Sequence, residues 1–195
     1  MAGSAHRTLV LLRHAKSARP DVPDHERPLG RRGQRDAPIV GRWLRAAGYL
    51  PDQVSCSTAR RARDTWQLAQ TTLRATAPVS FDRGLYQASA GQLLDLIRRV
   101  PSAARTLLVV GHDPALPDLA LALAAAAPPA CAGTGSDAGR RAGYDRMRVK
   151  FPTAAIAVFE CSGTWDQLTP GSARLASFVT PRDLAGAPSR SENAP

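Results

Sequence analysis

Lysine is almost missing from this chain. Lys16 and Lys150 are the only lysines among 26 basic residues, so arginine carries nearly all of the positive charge. A net charge of +10 suits nucleic acid, acidic protein surfaces or phosphorylated substrates as ligands. The arginines are scattered and never gathered in one run, which fits a compositional bias toward Arg, Ala and Pro better than a nucleic-acid footprint. Aromatic residues are scarce as well, at 5%, leaving few faces on which bases could stack. Nucleic acid is not expected as a partner.

Cysteine is the next scarcity. Cys56, Cys131 and Cys161 are an odd set with no C-x-x-C spacing, which argues against a disulfide framework or a structural zinc site. No metal and no cofactor are expected, and reduced thiols point to the cytoplasm. Long apolar runs are also missing. The first one ends at Arg13, too short for the apolar region of a signal peptide or for a membrane span. Leu116 to Ala127 is apolar enough for a buried helix, but not for a membrane partner. With 195 residues, 44% of them hydrophobic, the chain suits one soluble domain with a sizeable core.

What is present is concentrated at two points. Thr8-Leu9-Val10-Leu11-Leu12-Arg13-His14-Ala15-Lys16-Ser17 is an apolar run that stops in cations and an imidazole. Leu9 to Leu12 read as a strand buried on both faces, which puts Arg13 and His14 at its carboxyl end, the edge where open α/β sheets bind ligands. Arginine presents a planar fork to phosphate oxygens, and a neutral imidazole is a usable nucleophile. Thr106-Leu107-Leu108-Val109-Val110-Gly111-His112-Asp113-Pro114 repeats the pattern. Either stretch alone could end in a solvated loop. Two strands that deliver histidine to one edge are far more specific. Asp113 also suits a helix N-cap, with Pro114 at the first helical position.

Between these points, Ala15 to Leu29 reads as a polar loop over the strand ends, with Arg19, Asp24, His25, Glu26 and Arg27 either lining a site or facing solvent. Helical spacing marks Arg31 to Ala47, with Pro38 awkward unless it lies in the first turn or marks a kink. Gln53 to Ser57 reads as a short strand, and a helix follows from Ala59 to Ala75. Arg60, Arg61 and Arg63 lie in its first turn, where cations oppose the macrodipole, a conflict expected at functional sites. Val79 to Phe81 is a third strand, and Ser89 caps a helix from Ala90 to Arg99. Residues 127 to 147 read as a flexible insertion without periodicity. Ala154 to Phe159 and Ala173 to Val179 are strands, the latter at an edge. Residues 1–180 form the domain, and 181–195 read as a disordered polar tail.

Arg13-His14 after one strand, Ser57-x-x-x-Arg61-Ala62-x-x-Thr65 at a helix start and Gly111-His112 after another strand resemble the motifs of the histidine phosphatase superfamily, also called phosphoglycerate mutase-like. Ala15-Lys16-Ser17, Arg27-Pro28-Leu29 and Gly33 resemble its SixA-type phosphohistidine phosphatase branch. The resemblance implies an α/β fold, a three-layer α/β/α sandwich on a mostly parallel sheet. It also implies a phosphatase that works without metal through a covalent phosphohistidine on His14, with Arg13, Arg61 and His112 on the phosphoryl oxygens. Lys16 and Ser17 are candidate substrate-binding residues, and Asp113 is the candidate general acid. Many family members carry a carboxylate where this chain has Leu85-Tyr86-Gln87-Ala88. Imidazole, with a pKa near 6.5, leaves phosphorus more readily than an alkoxide, so the missing carboxylate favours a phosphohistidine-bearing protein as substrate. A phosphatase of small esters or nucleotides, and a phosphate-binding module without turnover, are the alternatives. The small size leaves little room for a mutase cap and favours a hydrolase.

Overall fold

Apolar runs that alternate in direction from residue to residue build one six-stranded sheet with both faces covered. The computed structural model describes residues 6–124 and 135–185. Its strands are β1 (Arg7–Arg13), β2 (Gln53–Ser57), β3 (Val79–Asp82), β4 (Thr106–Gly111), β5 (Ile156–Cys161) and β6 (Ala173–Val179). Their order across the sheet is β3-β2-β4-β1-β5-β6. The first four run parallel, while β5 is antiparallel to β1 and β6 to β5.

Successive side chains of a strand face opposite ways, and the two faces bury different partners. Leu9, Leu11, Leu107, Val109 and Phe159 pack with Leu93, Ile97, Leu116 and Leu119. These last four lie on α3 (Ala90–Arg98) and α4 (Ala115–Ala124). Val10, Leu12, Leu108, Val110 and Val158 pack with Val40, Leu44, Trp66 and Leu73 from α1 (Arg31–Ala46) and α2 (Arg60–Leu73). Each fully buried aliphatic side chain contributes about 1.5–3 kcal/mol, so the three-layer sandwich follows from the double-faced strands. Ser89 caps α3 with a reciprocal pair to Gln92, as its sequence signals.

The register of the two central strands positions the site. Arg13 pairs with Gly111 across β1 and β4, and the His14 amide donates to the Gly111 carbonyl at 3.0 Å. His14 and His112 are therefore the next residues of neighbouring parallel strands, at the same sheet edge. A close approach fixes the loop that follows. A Cβ added to Gly33 of α1 would lie 2.3 Å from the Lys16 carbonyl oxygen, so only glycine lets the loop after His14 rest on this helix. Gly41 does the same between helices, where a Cβ would fall 2.1 Å from the Ala69 carbonyl oxygen of α2.

Four expectations need correction. Pro38 lies inside α1, not in its first turn, and its carbonyl accepts from Thr72 Oγ1 of α2 at 2.8 Å. The insertion expected over 127–147 is in part α5 (Gly135–Val149). Its Gly- and Ala-rich face hides the period, yet Met147 is buried in the core with Tyr144 packed beside it, while residues 125–134 lie outside the described residues. The tail expected from residue 181 opens as a short helix, α6 (Pro181–Ala185), with Leu184 buried against the α1 face. Thr180 donates its amide and hydroxyl to Asp183 there. Residues 186–195 of the expected tail lie outside the described residues. Finally, α4 begins at Ala115, not Pro114, and the Asp113–Pro114 peptide is cis.

The Gly33→Ala variant is expected to lose about 1–3 kcal/mol of stability, because a methyl group meets backbone that cannot swing aside. Thermal unfolding reads this as a fall in midpoint of about 2–4 °C per kcal/mol for a chain of this size. An unchanged midpoint would mean the loop is not held that tightly.

Candidate active site

Both imidazoles emerge from the sheet edge into one pocket. Their ring centroids are 5.1 Å apart with planes inclined at 51°, and both residues are buried. His14 Nδ1 lies 2.8 Å from the Ala15 carbonyl oxygen. A carbonyl only accepts, so Nδ1 carries the ring proton and donates it there. The lone pair therefore sits on Nε2, which accepts from Arg61 Nε at 3.3 Å. The sequence alone could not identify that carbonyl.

Arg61 reaches His14 because Thr65 ties α2 to the loop after β1 and bonds back to Arg61 within the helix. The Ala15 amide donates to Thr65 Oγ1 at 2.9 Å, and the Thr65 hydroxyl donates to the Arg61 carbonyl at 2.6 Å. Of the three arginines in the first turn of α2, only Arg61 is buried. Arg60 is exposed beside Asp64 at 3.8 Å, and Arg63 is exposed. The conflict with the helix dipole is thus real for one residue that faces the site and mild for two in solvent.

Ser57 ends β2 and serves His112. Its hydroxyl lies 2.7 Å from His112 Nε2 and accepts from the Ala59 amide at 3.2 Å. The arrangement that gives the hydroxyl proton an acceptor has it donating to Nε2, so that Nδ1 of His112 carries the ring proton. That nitrogen is buried and has no partner among the described residues, as is Nε of Arg13. Buried donors seek acceptors, and each of these two still has a hydrogen bond to give. The other end of Arg13 is spoken for. Its NH1 donates to the Phe151 carbonyl at 2.5 Å, and NH2 lies 3.5 Å from Asp113 Oδ2.

Burial governs the protonation of both rings. His14 is pushed down to about 4, chiefly by loss of water; the hydrogen bond to Ala15 opposes this, and Arg61, Arg13 and Arg27 add to it. His112 is pushed down to about 3 by burial, then by His14 and Arg61. Both are therefore neutral at neutral pH. Three cations around an unprotonated imidazole can draw a phosphoryl group close to a free lone pair.

His14, Arg13, Arg61 and His112 meet, as the motifs imply. Asp113 stands at the rim, its side chain 49% exposed and beside Arg13. Ser17 is half-buried, and its hydroxyl accepts from Arg27 NH2 at 2.8 Å. Lys16 is exposed, and its carbonyl accepts from the Gly30 amide. The structure adds two contributors: Asp24, which the sequence left either lining a site or facing solvent, and Tyr86, which it did not single out. Asp24, on a 3-10 turn over Asp24–Glu26, accepts from Arg61 NH2 at 3.0 Å and from Tyr86 at 2.8 Å. Tyr86 sets its ring edge-on to His112 at 5.5 Å. Asp24 sits in a loop without period, and Tyr86 occupies the segment where a carboxylate was sought.

Comparison with known proteins places this geometry. The model of the histidine phosphatase superfamily (branch 1) matches residues 9–104. A solved structure of a candidate phosphohistidine phosphatase SixA from Nakamurella multipartitia is 34% identical, covers 90% of this chain and 96% of its own, and has a TM-score of 0.77. The chain belongs to the histidine phosphatase superfamily. It is a phosphatase of the α/β, phosphoglycerate mutase-like fold. An uncharacterised Mycobacterium tuberculosis protein is 45% identical over 88% of this chain and all of its own. A Plasmodium falciparum phosphoglycerate mutase, 16% identical with a TM-score of 0.58 over 89% of this chain and 91% of its own, shares the fold alone. Among the described residues, no helix of this histidine phosphatase is long and apolar enough to cross a membrane.

Because both rings are held neutral, neither is expected to titrate between pH 6 and 8. Nitrogen-detected NMR of the imidazoles should show one fixed tautomer for His14 over that range, protonated at Nδ1. Protonation removes the Nε2 lone pair, so activity should fall only as pH drops through about 4. A midpoint near 6.5 for His14 would contradict this electrostatic picture.

Proposed function

We propose that this enzyme removes the phosphoryl group from phosphohistidine on a protein and carries it on His14. The reading rests on one observation above the others: His14 is neutral, its Nδ1 proton is held by Ala15, and its Nε2 lone pair lies among guanidinium groups. Such a ring is a nucleophile ready to attack phosphorus. In the first step the bond from His14 Nε2 to phosphorus forms and the bond to the substrate nitrogen breaks. Arg13, Arg61 and His112 take up the charge on the equatorial oxygens. In the second step water attacks phosphorus, the Nε2 bond breaks, and inorganic phosphate leaves with His14 neutral again.

The acids near the pocket support the choice of substrate. Asp24 is pushed down to about 2, first by the Tyr86 hydrogen bond, then by Arg27 and Arg61, so it is a carboxylate and a poor proton donor at neutral pH. Asp113 is exposed and beside Arg13. No other carboxyl group is described in contact with His14, Arg61 or His112. An alkoxide needs its proton delivered to the bridging oxygen itself. A departing imidazole can take its proton on the far ring nitrogen, away from phosphorus, so a site without a poised acid suits it. The similarity to the Nakamurella protein and, at 26% identity, to a candidate SixA from Agrobacterium tumefaciens supports the same branch.

Incubation with a phosphohistidine-bearing protein, followed by mass spectrometry at neutral to alkaline pH, should find phosphate on His14. The His14→Ala variant should lose the label and lose turnover by about 10³-fold or more. Phosphate release without any adduct on His14 would reject the covalent route. The Asp113→Asn variant should lose more of its hydrolysis of serine phosphate than of phosphohistidine, and equal losses would count against the leaving-group argument.

A further inference from the structure

The rim of the pocket holds a carboxylate that the reaction steps do not use. Asp24 meets Arg61 twice: its backbone carbonyl accepts from NH1 at 2.7 Å and its carboxylate from NH2 at 3.0 Å. The terminal edge of the guanidinium is thus held from the loop side, while Nε faces His14 at 3.3 Å. The same carboxylate is fixed in turn. Oδ2 also accepts from the Tyr86 hydroxyl at 2.8 Å, and Oδ1 accepts from Arg27 NH1 at 2.8 Å. Arg27 is anchored on the loop's own Ala18 carbonyl and Ser17 hydroxyl. The Tyr86 ring lies 5.7 Å from the Arg61 guanidinium carbon.

We propose that Asp24 is a positioning residue for Arg61: it clamps the terminal edge of the guanidinium so that the Nε edge stays turned to His14. Arginine is a long side chain with many rotamers, and a group that must meet a transition state gains from losing that freedom beforehand. Asp24 itself touches no reacting atom. Its carboxylate faces the end of Arg61 away from His14, so it orients the arginine and does not occupy the place of the phosphoryl group. The loop Asp24-His25-Glu26-Arg27 thereby gains a role in the site, because it carries the clamp and Arg27 secures it. The inference rests on reading Arg61 as a holder of phosphoryl oxygens.

The test is a mutant cycle on Asp24 and Arg61, assayed with 4-nitrophenyl phosphate, whose leaving group needs no acid. Asp24→Ala should lower kcat by about ten- to a hundredfold, as expected for a misplaced catalytic group, with little change in KM. Asp24→Asn keeps an acceptor for the guanidinium and should recover most of that rate. In the Arg61→Lys background, where no fork remains to be clamped, removal of the Asp24 side chain should cost less than about twofold more. Unchanged melting curves for all four variants, the double one included, show that each is folded, and Asp24→Ser takes the place of Asp24→Ala in the cycle if the latter is not. Four results would overturn the clamp: wild-type kcat in Asp24→Ala, a lower KM at unchanged kcat, no recovery by asparagine, or losses that multiply in the double variant. A wild-type enzyme that cleaves this ester but not phosphohistidine would instead overturn the substrate assignment and leave the cycle readable.

Discussion

An imidazole removed from water resists protonation, and the arrangement around His14 depends on that cost. Placing arginines around a histidine in the open would leave its charge to be set by the buffer. Burial under the strand ends makes the choice outright, holding His14 down to about 4 and His112 down to about 3. The cations then act on a ring that is already neutral. They can concentrate positive field where phosphoryl oxygens would lie without competing with a protonated nucleophile. The hydrogen bond to Ala15 then decides which nitrogen keeps the proton.

That cost is met by the fold as a whole. The parallel pairing of β1 with β4 sets two residues side by side that are 98 positions apart, and the double-faced core of these strands keeps the register from slipping. Arg61 arrives from the other direction, on a helix tied to the β1 loop through Thr65. A buried guanidinium needs a counter-charge, and Asp24 supplies it from a 3-10 turn in the loop between β1 and α1. The rigid parts bring the reacting groups together, and the irregular loop adjusts them.

The strands, and Arg13, His14 and His112 at their ends, were legible because they follow from short-range rules: apolar runs of strand length, ended by chemistry at the sheet edge; Arg61 was marked by its conflict with the α2 dipole and by the motif resemblance. Pro38 misled because propensity argues against proline within a helix, while packing of α1 on α2 and the bond from Thr72 outweigh it. The helix over Gly135–Val149 was hidden because its contacts use Gly143, Tyr144 and Met147, small or isolated signals in a run of Ala and Gly. The start of α6 had a signal that went unread, a Thr180-Pro181-x-Asp183 cap. Asp24 was left open between lining the site and facing solvent, and Tyr86 had no signal at all. They are 62 residues apart, on an irregular loop and beside a 3-10 turn, and only the tertiary structure reveals that they share Arg61.

The proposed chemistry stands on His14 Nε2 being the atom that meets phosphorus, with Arg13, Arg61 and His112 around it. A crystal structure of the protein with vanadate, which adopts the shape of a phosphoryl group in transfer, tests this most directly. Vanadium is expected at bonding distance from His14 Nε2, with its oxygens on Arg13 Nε, Arg61 and His112 Nδ1. Vanadate bound through His112 alone, or outside the two-histidine pocket, would refute that chemistry.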